Sequence, residues 1–150
     1  MSTLLLDASV ILAAFDPRGE YHDACRAILG RADATLATLD LVRYELANVA
    51  VRAWRAPDQV GPLLQAVDRI AEDGGVVEST TALLTHAAQL AEEHTISAYD
   101  AAYVAAAAQA GAALVSCDIR DLVGGGLAQS PAGVSSRGTA GEVELLRGAE

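Results

Sequence analysis

The sequence contains no lysine; its ten basic residues are all arginines. That absence removes a phosphate-binding loop of the GK[ST] type and leaves a lysine-dependent phospho-aspartate site hard to build. Set against 20 acidic residues, the arginines leave a formal net charge of -10. Nucleic acid cannot be held here by blanket attraction, so any such contact needs a local arginine patch, a metal or a partner protein. Aromatics are scarce: one Phe, one Trp and four Tyr. The core must therefore be Leu, Val, Ile and Ala, with closely packed helices. Only two cysteines occur, Cys25 and Cys117, without metal-ligand spacing, and they read as reduced thiols of a cytoplasmic protein. Long hydrophobic runs are missing as well. The apolar N-terminal stretch has no basic leader and is broken at Asp7 and Asp16, which argues against a signal peptide or a membrane span.

What is present alternates between short apolar runs and helical periodicities. Thr3–Leu6 reads as a strand buried on both faces and ends at Asp7. Helices are expected over Ala8–Phe15 and Tyr21–Leu29, then a strand over Thr35–Leu39, after which Asp40 leads another helix. Pro57 breaks that helix, and Val60–Ile70 forms the next. Val76-Val77 is a short strand, and Thr80 or Thr81 opens a helix. Ser97 precedes an alanine-rich helix, Ala98–Ala110, and Ala112–Cys117 is a strand ended by Asp118. This order predicts an α/β fold, three layers with helices on both sides of a mainly parallel sheet. One domain is expected over residues 1–123. A Gly/Ser-rich tail, partly flexible, follows over 124–150, with Val134 as a possible edge strand and a helical turn at Glu142–Leu146.

Four acids stand out: Asp7, Glu45, Asp100 and Asp118. Singly, each has an ordinary explanation. Asp7 and Asp118 suit N-caps, Asp100 completes a capping-box pattern with Ser97, and Glu45 suits a solvated helix. Together they converge. The carboxyl ends of parallel strands share one sheet edge, where ligands bind, and helices that follow or feed those strands start at that edge. Crowded carboxylates repel until one is protonated or a cation binds. All-oxygen donors suit Mg²⁺ or Mn²⁺, and the matching chemistry is phosphodiester hydrolysis by a water that the metal activates. His22, His86 and His94 are too few and too scattered for zinc, and no serine sits in a G-x-S-x-G elbow.

The segments Leu4-Leu5-Leu6-Asp7-Ala8-Ser9-Val10, Tyr44-Glu45-Leu46-Ala47-Asn48, Ser97-Ala98-Tyr99-Asp100-Ala101-Ala102-Tyr103 and Leu114-Val115-Ser116-Cys117-Asp118 resemble the ordered acidic motifs of PIN-domain proteins. Within that superfamily they look most like VapC-type toxins of toxin–antitoxin pairs. The resemblance spans roughly residues 3–120 and implies a Mg²⁺-dependent endoribonuclease, a homodimer held inactive by a cognate antitoxin protein. It makes Asp7, Glu45, Asp100 and Asp118 both the catalytic acids and the metal ligands, Asp7 and Asp100 first among them. It also makes Ser9 and Ser116 supporting hydroxyls, although Ser9 could equally serve only the helix start. The Ser116-Cys117-Asp118 motif departs from the commoner threonine-containing form; Asp121 could compete for or share the role of Asp118, or be a solvated surface acid. A DNA substrate, a role in RNA processing, and a catalytically silent binding module are the alternatives.

Softer features have two readings each. Arg43 and Arg120 could contact phosphate or sit in exposed salt bridges. Trp54 could stack on a base or face the core or a partner copy. The apolar helical positions between Leu41 and Ile70 exceed the expected needs of a small core, and could form a dimer surface or an antitoxin groove.

Overall fold

Parallel strands can be joined only by crossovers, and the chain supplies a helix at each one. The computed structural model describes residues 2–135. Its elements are β1 (Ser2–Leu6), α1 (Ala8–Phe15), α2 (His22–Leu29), β2 (Ala34–Leu39), α3 (Val42–Arg52), α4 (Val60–Asp73), β3 (Val76–Val77), α5 (Thr81–His94), α6 (Ala98–Ala110) and β4 (Ala113–Val115). A single 3₁₀ turn, Pro57–Gln59, precedes α4, and a π-helical turn, Ile119–Val123, follows β4. The strands pair in the order β3-β2-β1-β4, and every pairing is parallel. The chain builds outward from β1 on one side through β2 and β3, then crosses to the other side for β4. The reversal between β1 and β4 is a topological switch point, the usual place for a site in such a sheet.

Alternation along β1 decides the layers. Leu4 and Leu6 pack with α1–α4 on one face, together with Val10, Ile11, Val42, Leu46, Leu63 and Val67. Leu5 packs on the other face with Leu114 and the alanines of α6, under Leu83 and Ala87 of α5. Small side chains let α5 and α6 lie close together, as the scarcity of aromatics demanded. The expected three-layer α/β arrangement is therefore present. No helix among the described residues is long and apolar enough to cross a membrane.

Two local expectations need correction, and one residue gains a role. Asp40 leads α3 as expected but does not cap it with its side chain. Its carboxylate accepts from Ser79 N at 2.9 Å and from the Ser79 hydroxyl, which ties the end of β2 to the segment after β3, and α3 starts without a side-chain cap. The apolar positions between Leu41 and Ile70 mostly enter the protein's own core: Val42, Leu46, Ala50, Leu63, Val67 and Ile70 are all buried there. Val134 is not in a strand, because residues 131–135 are helical. Ser130 Oγ accepts from Gly133 N at 3.0 Å, Pro131 takes the first helical position, where a missing N–H costs nothing, and Val134 is buried. Residues 124–130 return to the sheet. Gln129 N donates to Leu114 O at 2.8 Å, and Ser116 N donates to Gln129 O at 3.1 Å. The expected helical turn at Glu142–Leu146 lies outside the described residues.

Gly74 is the tightest backbone approach in the fold. A Cβ at this position would lie 2.4 Å from Leu36 O, where the C-terminus of α4 passes onto β2. By contrast, a Cβ on Gly61 meets nothing within 4 Å. Gly74→Ala is expected to destabilise the protein by about 1–3 kcal/mol through overpacking. Gly61→Ala, in the first turn of α4, is expected to be neutral or to stabilise by up to ~1 kcal/mol. Urea denaturation of the two variants beside the wild type checks this ordering.

Candidate active site

The site grows from the junction of β1 with α1. Asp7 has extended backbone angles and caps α1, its Oδ1 accepting from Val10 N at 3.3 Å and from Ser9 Oγ at 2.5 Å. Asp7 N donates to Val115 O at 3.3 Å, so the residue is also stitched to β4. Ser9 completes a second stitch, since its Oγ accepts from Cys117 N at 2.9 Å. Ser9 is thus not merely a helix-start residue: it joins the Asp7 carboxylate to the end of β4. Ser116, fully buried, also hydrogen-bonds the Asp7 carboxylate, and its Oγ accepts from Asp118 N at 3.0 Å. The Cys117 thiol packs beside that of Cys25, with 3.7 Å between sulfurs, and both are free.

The other acids arrive on three different elements. Asp118 caps the π-helical turn, accepting from Asp121 N at 2.9 Å. Asp100 stands in the first turn of α6, where the expected Ser97 cap is present and uses the Asp100 N–H, at 3.0 Å. Glu45 lies half-buried in the first turn of α3, and Tyr103 OH donates to its Oε1 at 2.6 Å. Tyr103 is the site partner that the sequence reading did not single out. The available signal was its position three residues after Asp100, on the same face of a helix otherwise dominated by alanine.

Electrostatics links the acids in series. Asp7 is only 6% exposed, and its carboxyl is pushed up to about 6, mainly by burial, with Glu45 adding to the rise and hydrogen bonds from Ser116, Ser9 and Val10 opposing it. Glu45 is raised by burial, partly offset by the Tyr103 hydrogen bond, with Asp100 adding to the rise. Asp100 is raised by burial and then by Asp118, with a smaller contribution from Asp121. The four sequence-derived acids are therefore linked pair by pair, Asp7 to Glu45, Glu45 to Asp100 and Asp100 to Asp118, and Asp121 lies at the margin of the group. Asp40, although at the same sheet edge, is held by Ser79 instead. Arg43 pairs with Asp68 of α4 at 3.1 Å, Arg120 lies 3.9 Å from Asp121, and Trp54 packs against the core.

Among the described residues, no three His, Cys, Asp or Glu side chains are arranged to enclose a metal ion as they stand. The donor chemistry nevertheless suits a hard cation. The set is all carboxylate, it carries repulsion that positive charge would relieve, and a cation that keeps several of its waters does not need every acid in direct contact.

Comparison with known proteins places this geometry. The family model described as PIN domain matches residues 4–122. Ribonuclease VapC3 of Pyrobaculum aerophilum is 34% identical over 119 residues, covering 77% of this chain and 88% of that protein. Among solved structures, PAE2754 from Pyrobaculum aerophilum superposes with a TM-score of 0.64 at 24% identity, covering 93% of this chain and 90% of that one. VapBC2 from Rickettsia felis, bound to a DNA fragment from its promoter, has a TM-score of 0.58 at 15% identity, covering 85% of this chain and 96% of that one. At those identities the two structures speak to the fold alone.

The raised Asp7 carboxyl has a definite consequence for stability. An unfolded aspartate titrates near 3.8 and the folded one near 6. Between those values the folded chain keeps a proton that the unfolded chain has released, so stability falls as pH rises through that window. Above it the full penalty is present, on the order of 3 kcal/mol. Asp7→Asn keeps an acceptor for Ser9 and Val10 but carries no charge. In metal-free buffer it is expected to be more stable than the wild type at pH 8 by about 1–3 kcal/mol, with the gain disappearing by about pH 4. Urea midpoints measured across that range check both the sign and the window.

Proposed function

The chain belongs to the PIN-domain family, and from that premise we propose that it is a metal-dependent endoribonuclease of the VapC type, the toxin of a toxin–antitoxin pair. The observation that carries this reading is the linked series of Asp7, Glu45, Asp100 and Asp118 at the switch point of the sheet. Likeness to a ribonuclease over 77% of the chain favours RNA as the substrate over DNA. Mg²⁺ is the proposed cation, with Mn²⁺ as a substitute; Asp7 and Asp100 would hold it, and Glu45 and Asp118 would complete its shell directly or through water. When bound, it supplies Lewis-acid polarisation of the scissile phosphate and of the attacking water.

The chain's own residues do the rest. Ser9, Ser116 and the Val10 N–H hold Asp7 in one orientation, so that no reorganisation is needed when substrate arrives. The hydroxyl of Tyr103 fixes Glu45. Because Glu45 binds a proton more tightly than an ordinary glutamate, it is suited to take one from the water as the oxygen joins phosphorus and the P–O bond to the leaving strand breaks. A cognate antitoxin protein and a second copy of the chain are the proposed protein partners, and the cytoplasm the proposed compartment. The same fold occurs in solved toxin–antitoxin complexes.

The test is cleavage of labelled RNA and DNA by purified wild type, Asp7→Asn and Asp100→Asn, with Mg²⁺, Mn²⁺ or chelator. RNA cleavage by the wild type with either metal is expected. It should vanish in chelator and fall in each variant by at least about a hundredfold, the upper end of what losing a merely supporting group costs. Mg²⁺ should also raise the melting temperature of the wild type and leave that of Asp7→Asn unmoved. Cleavage that persists in chelator overturns the metal site, and cleavage of DNA alone overturns the substrate.

A further inference from the structure

Of the six aromatic residues in the chain, four belong to the core or pack against it: Phe15, Tyr21 and Trp54 on one side of the sheet, and Tyr103 on the other. The remaining two, Tyr44 and Tyr99, are 79% and 66% exposed, more than any other large hydrophobic side chain among the described residues. Each immediately precedes an acid of the proposed site, Glu45 or Asp100. Each also lies in the first turn of its helix, α3 or α6, and the hydrogen bond from Tyr103, in the second turn of α6, to Glu45 links the two helices near those starts. Tyr99 lies four residues before Tyr103. It therefore shares the α6 face that meets α3, one turn further out toward solvent.

We infer that Tyr44 and Tyr99 form a stacking platform for unpaired RNA bases at the mouth of the acidic site, an inference that rests on the ribonuclease reading above. The argument is one of charge. Phosphates approaching this mouth meet four carboxylates, and the nearby arginines already have acidic neighbours, Asp68 for Arg43 and Asp121 for Arg120. Counterion release, which dominates most nucleic-acid binding, needs free cationic side chains. The affinity that remains available comes from base faces. Stacking on an aromatic ring is indifferent to charge and tolerant of sequence, and tyrosine keeps its hydroxyl in water while offering the ring. Bases inside a duplex have no free faces, so the platform selects single strands and loops.

The experiment measures cleavage kinetics, and binding by fluorescence anisotropy, for full-length wild type, Tyr44→Ala, Tyr99→Ala and the corresponding Phe variants. The substrates are a labelled single-stranded RNA and the same strand annealed to its complement. Each Ala variant is expected to raise KM about tenfold with kcat within about twofold. Phe should restore KM, because the ring is retained, and the duplex should bind poorly to every protein. Ala variants with wild-type KM in an enzyme that cleaves RNA overturn the platform alone. Ala variants that only lower the mass found by sedimentation also overturn it, and assign the tyrosines to contact between copies. A wild type that cleaves no RNA overturns the ribonuclease reading itself.

Discussion

A carboxylate buried at the carboxyl end of the central strand is the constraint around which the rest of this molecule is arranged. Removing an ionised group from water is unfavourable unless hydrogen bonds and charge replace what water gave. Asp7 receives the hydrogen bonds: two serine hydroxyls and one backbone N–H at the start of α1. It does not receive the charge, because the ionised group that acts on it is another acid, Glu45. The result is a carboxyl near 6 that is geometrically satisfied and electrostatically not. Packing explains the first half and nothing in the fold explains the second, which is the usual signature of a functional site.

The same edge shows what the alternative looks like. Asp40 also follows a strand, β2, and points of topology make it as good a candidate as Asp7. Its carboxylate is occupied by Ser79, from the chain just after β3, and so it serves to fasten two strand ends. The difference between a structural and a functional acid is therefore local. Asp40 has a neighbour that consumes both oxygens, whereas Asp7, Glu45, Asp100 and Asp118 have hydroxyl or backbone partners that orient them while leaving their repulsion in place. Ser97 shows this most simply, since it caps α6 through the Asp100 N–H and hydrogen-bonds the Asp100 side chain, yet the carboxyl stays raised.

Much of this was readable before any coordinates. Strand ends at Asp7 and Asp118, and the Ser97 cap ahead of Asp100, are local signals, and a parallel sheet converts local signals into a common edge. What the sequence hid was pairing between distant elements. Tyr103 meets Glu45 across 58 residues, and its place one turn after Asp100 marks the face but not the partner. The tie from Asp40 to Ser79 was hidden for the same reason, because the two lie 39 residues apart. Val134 was a different kind of error. A β-branched residue among glycines suggested a strand, but Ser130-Pro131 is a helix-start pair, and that local chemistry outweighed the weak β preference. The apolar surplus on α3 and α4 proved to be the core itself, since a chain with few aromatics needs more aliphatic positions to fill the same volume.

The acidity of the whole chain then acquires a physical meaning. A net charge of -10 repels a polyanion at long range, so association cannot be steered by the field of the protein. If RNA is the substrate, as proposed, recognition must begin at short range, where charge can be neutralised locally and where uncharged contacts are available. Both conditions are met only at the mouth bounded by α3 and α6. There the acids would gain most from a cation, because burial has raised the cost of their charge, and the two tyrosines offer the most exposed aromatic faces among the described residues. An electrostatic penalty inside the site and an electrostatic barrier outside it thus act in the same direction. On the proposed reading, the two together make productive encounter depend on a cation, and on a strand whose bases are open.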